Sequence, residues 1–140
     1  MRLIAISLLL GCLSGCATSA VSVDQAKSAP VSRVFINDAA NTEAEITLIR
    51  DSGMMGGGCY VDVYLNDKLA ATLDTSEKVT IKVNAGELYL GSQLSGSGLC
   101  IGSSIRHLET SIKQGQHKLY RVMTGQSGDV QIVSGGITSN

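Results

Sequence analysis

The side chains best suited by type to do chemistry are His107, Glu109, His117, Cys59 and Cys100. His107 and Glu109 stand two residues apart, which on a strand puts an imidazole and a carboxylate on one face, an acid/base couple to which His117 would be a third member. The chain has no G-x-S-x-G nucleophile motif and no paired carboxylates near these residues, so they read as solvent-facing strand side chains. No catalytic residue is assigned, and the expectation is a protein that is not an enzyme. Cys59 and Cys100 admit three readings: a disulfide, a metal site shared with a histidine, or a redox-active thiol. There is no C-x-x-C pair and neither histidine stands at zinc-motif spacing from a cysteine, so no metal ligand is assigned.

Each of these cysteines ends a glycine-rich stretch, Ser52 to Gly58 before Cys59 and Ser95 to Leu99 before Cys100. A phosphate cradle is the first idea such stretches raise, and it fails on spacing. Gly53 to Gly58 lacks the Lys-Ser/Thr that completes a P-loop, Gly96 to Gly102 misses the dinucleotide pattern by one residue, and neither leads into a convincing helix. No cofactor is assigned, and loop flexibility is the expected role of the glycines. Met54 and Met55 at the tip of the first stretch suit either an adaptable apolar contact with a partner or packing back on the edge of the domain, and packing is the expectation. Tyr60 and Tyr64 share a strand face with Asp62 and are the aromatic pair the sequence aligns. Tyr60, Asp62, Tyr64, Met54 and Met55 are therefore the candidate binding surface, although a cross-strand or covering contact is the plainer use of the tyrosines.

At the N-terminus, Arg2 precedes the apolar run Leu3 to Leu10 and then Gly11-Cys12-Leu13-Ser14-Gly15-Cys16. One positive charge, a short apolar run and small residues have the layout of a secretory signal, too short to serve as a stable membrane span. Leu13-Ser14-Gly15-Cys16 resembles the lipobox of bacterial lipoproteins, which implies removal of residues 1 to 15, a diacylglyceryl group on the Cys16 thiol and a further acyl chain. Two or more acyl chains anchor firmly, since each buried methylene contributes about 0.8 kcal/mol and one chain alone is marginal. Ala17 follows the anchor, not Asp, and that resemblance implies the outer membrane. An exported pair of thiols normally becomes a disulfide, and a Cys59–Cys100 bond would close a ring of about 42 residues and stabilise by roughly 4 kcal/mol on a chain-entropy estimate.

These groups must be positioned by a chain of 140 residues, 44% apolar and 16% charged, enough for one core. Its formal charge of −1 falls to −2 once Arg2 is removed, and neither value is the basic footprint of nucleic-acid binding. Residues 16 to 30 read as the lipidated Cys and a flexible tether with an r.m.s. span of about 20 Å, and residues 31 to 140 as the domain. Within the domain the dominant period is two. Cys59, Val61, Val63 and Leu65 alternate with Tyr60, Asp62 and Tyr64, Asn66-Asp67 turns, and Leu69, Ala71 and Leu73 share one face, so residues 59 to 73 predict a β-hairpin. Residues 79 to 83 and 88 to 90, joined by Asn84-Ala85-Gly86, predict a second. Further strands are expected at 31 to 36, 43 to 50, 104 to 112, 117 to 123 and 129 to 133, with a helix over 104 to 113 as the alternative there. The fold class expected is all-β: a single sandwich or small barrel of about eight short antiparallel strands.

The run from Arg50-Asp51-Ser52-Gly53 through Cys59, the hairpin Val61 to Ala70, the turn Val83-Asn84-Ala85-Gly86-Glu87 and the strand Leu119-Tyr120-Arg121-Val122 together resemble a family of small bacterial lipoproteins with a β-rich domain and a PEGA-like hairpin. Here Asn66-Asp67-Lys68 stands in place of Asp-Gly-Lys, Ala85-Gly86 in place of Pro-Gly, and Leu119-Tyr120 in place of a double aromatic. The resemblance implies a β-rich envelope domain and carries over no catalytic or binding residue. The expected role is a membrane-anchored, non-catalytic binding or scaffolding protein with an envelope partner. The alternative is an inhibitor or sensor of a cell-wall-cleaving enzyme, acting through an exposed rigid loop at 52 to 58 or 95 to 102.

Overall fold

The period-two pattern builds two facing sheets. The computed structural model describes residues 18–36, 43–101 and 103–138, so the segment 1 to 15 and Cys16 lie outside the described residues. One sheet has the order β1 (Lys27–Ser28), β5 (Glu77–Val83), β2 (Ala44–Arg50), β8 (His117–Thr124), β9 (Val130–Thr138). The other has the order β4 (Lys68–Leu73), β3 (Tyr60–Leu65), β6 (Gly86–Ser95), β7 (Arg106–Ile112). The pairings are antiparallel except β1 with β5 and β2 with β8. This is the expected all-β sandwich, formed as two separate sheets and not as a closed barrel.

Between the sheets, alternate residues from both interdigitate. Ile46 and Leu48 of β2, Val79, Ile81 and Val83 of β5 and Val122 of β8 meet Val61 and Val63 of β3, Leu73 of β4 and Leu90 of β6. Each fully buried aliphatic side chain contributes about 1.5–3 kcal/mol relative to exposure, and this layer is the main source of stability. Tyr120, 1% exposed, is the largest side chain in it, and its hydroxyl bonds Thr110 Oγ1 of β7 at 3.0 Å, joining the two sheets. Of the expected 104 to 112, Arg106–Ile112 takes the strand and not the helix, because Leu108, Thr110 and Ile112 at every second position face this core, while 104 and 105 lie before it.

The hairpin of residues 59 to 73 forms as expected. Asn66 and Asp67 both adopt left-handed backbone, with φ of 49° and 63°, the two-residue turn whose twist matches flanking strands. Leu69 departs from the expected face. A bulge between Val63 and Tyr64 shifts the register, so Ala70, Ala71 and Leu73 are buried while Leu69 stays partly exposed.

Three other expectations are corrected. Residues 79 to 90 are not a hairpin, because β5 pairs with β1 and β2 in one sheet and β6 with β3 and β7 in the other. The turn at Asn84-Ala85 is an arch that carries the chain from one sheet to the other, so both strands still present apolar faces to the core. Residues 31 to 36 are a 3-10 turn (Val31–Arg33) and an isolated bridge from Val34 to Ala71, not a strand. Residues 18 to 30 are not a tether. Ser19 bridges to Ser52, β1 joins the sheet edge, and Val21 and Ala26 bury against Ile49 on the outer face of the five-stranded sheet. These apolar side chains are too few to show a period, yet they cover an isoleucine that would otherwise be bare. The domain therefore begins by Thr18.

Asp51 locks this segment down: its carboxylate accepts the Val21 N–H at 3.2 Å and pairs with the Arg121 guanidinium, which also donates to Val21 O at 3.3 Å. Asp51→Ala would orphan a buried N–H and an arginine, at a cost of about 2 kcal/mol. Urea unfolding should show the loss, and limited proteolysis should cut the variant between Ser19 and Ser28 first.

Candidate binding surface

Arg50 follows Ile46 and Leu48 on the inward face of β2, so its side chain enters the space between the sheets, where it is 3% exposed. It finds backbone carbonyls there. Arg50 donates to Leu73 O of β4, on the opposite sheet, at 2.9 Å, to Cys59 O just before β3 at 2.6 Å, and to Gly56 O at 2.7 Å in the loop between β2 and β3. Burial pushes its pKa down, while Asp74 and Glu77 act in the opposite direction. A guanidinium remains charged under these conditions, and three directed acceptors offset its lost hydration.

The glycines of this loop have specific work. Gly56 has φ of 68°, and a Cβ on Gly57 would lie 2.6 Å from Gly53 O. The loop is thus a folded turn closed around Arg50, which corrects the expectation of simple flexibility. The second glycine-rich loop is joined to it by the Cys59–Cys100 disulfide, with Cα atoms 5.5 Å apart. That settles the pairing of the two thiols. Met54 and Met55 do not pack back: they are 84% and 46% exposed, and on the second loop Leu99 and Ile101 are 100% and 70% exposed.

Tyr60, Asp62 and Tyr64 share the outer face of the four-stranded sheet, as their spacing implies. Each of them is engaged within the domain. Arg33 lies over the Tyr60 ring at 5.0 Å while pairing with Glu77 at 2.7 Å, and Thr72 Oγ1 donates to Asp62 Oδ1 at 2.5 Å. Tyr64 leans toward the next strand and bonds Gln93 Oε1 at 3.4 Å, and burial followed by the charge of Asp62 raises its pKa, so it stays a neutral donor.

Across the sheet, Tyr64, Gly91 and His107 stand in one row. A Cβ at Gly91 would lie 3.1 Å from Ile105 Cγ2 and 3.2 Å from Tyr64 Cβ, so the missing side chain is what lets these neighbours close in. The His107 ring stacks on Tyr89 with centroids 4.5 Å apart and 12° between planes. Past Tyr89 the face continues as a groove of about 570 Å³ lined by Asn66, Glu87, Tyr89, Glu109 and Ser111. Asn66 sets its corner by donating its N–H to Tyr89 O at 2.7 Å and accepting the Tyr89 N–H at 3.0 Å.

The candidate surface therefore divides. The tyrosines, His107 and Glu109 lie on one sheet face, whereas Met54 and Met55 lie at the loop end. His117 is on the outer face of the other sheet, with Nε2 2.8 Å from Thr47 Oγ1, so the core separates it from His107. The acid/base trio is not brought together. Among the described residues no group of three or more His, Cys, Asp and Glu is arranged to hold a metal. Tyr89, Gly91 and Arg50 were not singled out from the sequence. Tyr89 alternates outward between Leu88 and Leu90, but only the placement of β6 beside β3 and β7 brings it to Tyr64 and His107. No protein-family model matches the chain, and no curated protein matches it significantly.

Arg50→Met keeps the bulk and removes the N–H groups that the Cys59, Leu73 and Gly56 carbonyls accept, so it should cost on the order of 3 kcal/mol in urea unfolding. Cys59→Ser with Cys100→Ser should cost up to roughly 4 kcal/mol in the same measurement.

Proposed function

We propose that the chain is a lipoprotein held on the outer membrane through acyl chains on Cys16, whose β-sandwich binds or scaffolds another component of the cell envelope without catalysing a reaction. The observation that carries the binding role is the row of Tyr64, Gly91 and His107, with Tyr89 stacked on His107, on an open sheet face. Aromatic faces held rigid on strands offer contact area at low entropic cost, which suits recognition. The opposite sheet is partly covered by the chain's own residues 18 to 28, leaving the aromatic face as the more open of the two. Support for the anchor comes from the sequence: Arg2, the apolar run and Leu13-Ser14-Gly15-Cys16. The resemblance to small bacterial lipoproteins with PEGA-like hairpins belongs to the same reading.

A second reading, an inhibitor or sensor of a cell-wall-cleaving enzyme, draws on the exposure of two loops cross-linked by Cys59–Cys100. Pulldown from detergent-solubilised envelopes separates the two. A stoichiometric partner whose affinity drops about tenfold in Tyr64→Ala/Tyr89→Ala supports the face, a loss on the order of 1–2 kcal/mol. A muramidase retained by that variant and lost on Leu99→Asp selects the inhibitor. Turnover of a cell-wall substrate that disappears in His107→Ala overturns the non-enzymatic role.

A further inference from the structure

The least expected surface of the molecule is the end where the two glycine-rich loops meet. Leu99 is fully exposed, Met54 and Ile101 are more than two-thirds exposed and Met55 is nearly half exposed. Neither residues 52 to 60 nor residues 95 to 105 include a charged side chain. The disulfide holds the two loops together, so their apolar side chains form one end of the sandwich and not separate whiskers. Exposed clusters of this kind mark contact with a partner or a membrane.

The path of the chain selects between these. Thr18 sits at this same end: its Oγ1 donates to Thr124 O at 2.9 Å, Ser19 bridges to Ser52, and Thr18 lines a common hollow with Met54, Met55 and Met123. Cys16 is two residues upstream of Thr18, and two residues of extended chain reach at most about 7 Å. Acyl chains on Cys16 would therefore hold this end of the domain at the bilayer surface. Residues 18 to 28 are packed on the sandwich and so do not act as a tether that lifts it away.

We propose that Met54, Met55, Leu99 and Ile101 seat in the headgroup and acyl boundary of the bilayer that holds the acyl chains of Cys16, a contact that rests on the lipoprotein reading above. Interfacial apolar groups of this kind reach about 5–10 Å into the boundary. Tethering makes the contact intramolecular, so even a weak insertion is populated. The Arg106–Asp129 ion pair, 3.1 Å and half exposed, belongs to the same end and would meet the headgroups as a neutral pair. The sandwich then stands upright, with the groove at Tyr89 facing away from the membrane, about 20 Å along β6 from Ser95.

The chain has no Trp, so a single introduced indole reports its own depth. The full chain, made in a lipidating bacterial host, would carry Leu99→Trp, Met54→Trp or Tyr89→Trp and be placed in phosphatidylethanolamine and phosphatidylglycerol vesicles with brominated acyl chains. Mass spectrometry would read residue 16 in each sample. The expected result is a lipid on Cys16, with emission from Leu99→Trp and Met54→Trp shifted to shorter wavelength and quenched, and Tyr89→Trp unquenched. Loop indoles as unquenched as Tyr89→Trp on a lipidated protein overturn the docking and leave the anchor standing. Capture of an envelope protein that Leu99→Asp abolishes, again with unquenched loop indoles, overturns it in favour of a protein contact. An unmodified Cys16 overturns the anchor, and the docking falls with it.

Discussion

One buried guanidinium organises the end of the sandwich where most of its loops gather. Arg50 begins on the five-stranded sheet and ends on the Leu73 carbonyl of the four-stranded one and on the Cys59 carbonyl at the entry to it, while also holding Gly56. A hydrophobic core sets the spacing of two sheets but tolerates sliding between them. Directed bonds to three fixed oxygens do not, because each carries an angle as well as a distance. The same cation positions the β2–β3 loop, and the disulfide extends that order to the β6–β7 loop. The placement of the two glycine-rich loops thus depends on one side chain and one disulfide.

Arg50 and its neighbour Asp51 use strand alternation in opposite directions. Arg50 points inward and joins the sheets, whereas Asp51 points outward and, with Arg121, fastens residues 18 to 28 over Ile49. The two outer faces consequently differ. One carries a covering segment of the same chain, and the other presents Tyr64, Tyr89 and His107 with a glycine between them. The asymmetry rests on two adjacent residues of opposite charge at the end of one strand.

Much of this was legible in the sequence. The alternation from Cys59 to Leu65 gave both faces of β3, Asn66-Asp67 gave the turn, and the even pair Cys59 and Cys100, each at the end of a glycine-rich stretch, gave the disulfide. Period two tells which way a side chain points but not which sheet holds the strand, so β5 and β6 read as a hairpin although an arch separates them. The bulge at Val63 and Tyr64 has no sequence signature of its own, and it moved Leu69 off its expected face. Residues 18 to 30 looked like coil because Val21 and Ala26 are isolated apolar residues whose value depends on Ile49, which is distant in sequence. Glycines 56 and 57 looked permissive, whereas left-handed backbone at Gly56 and the approach of Gly57 to Gly53 O give them fixed positions. The aromatic row was half visible: Tyr64 could be assigned a face, but its neighbours come from strands whose order only the fold reveals.

The parallel pairing of β2 with β8 also shapes how the molecule comes into being. Glu45 aligns with His117 and Arg50 with Val122, so the central strand of the larger sheet gains its second neighbour only when the last quarter of the chain is present. The hairpin from Tyr60 to Leu73 can form early from local contacts. Ile46 and Leu48 cannot be enclosed on that schedule, and closing so long a loop makes the late step slow. Until it occurs, β2 is an open strand edge capable of pairing with another chain. Such a topology favours a life history in which the whole polypeptide is delivered before its larger sheet is asked to close.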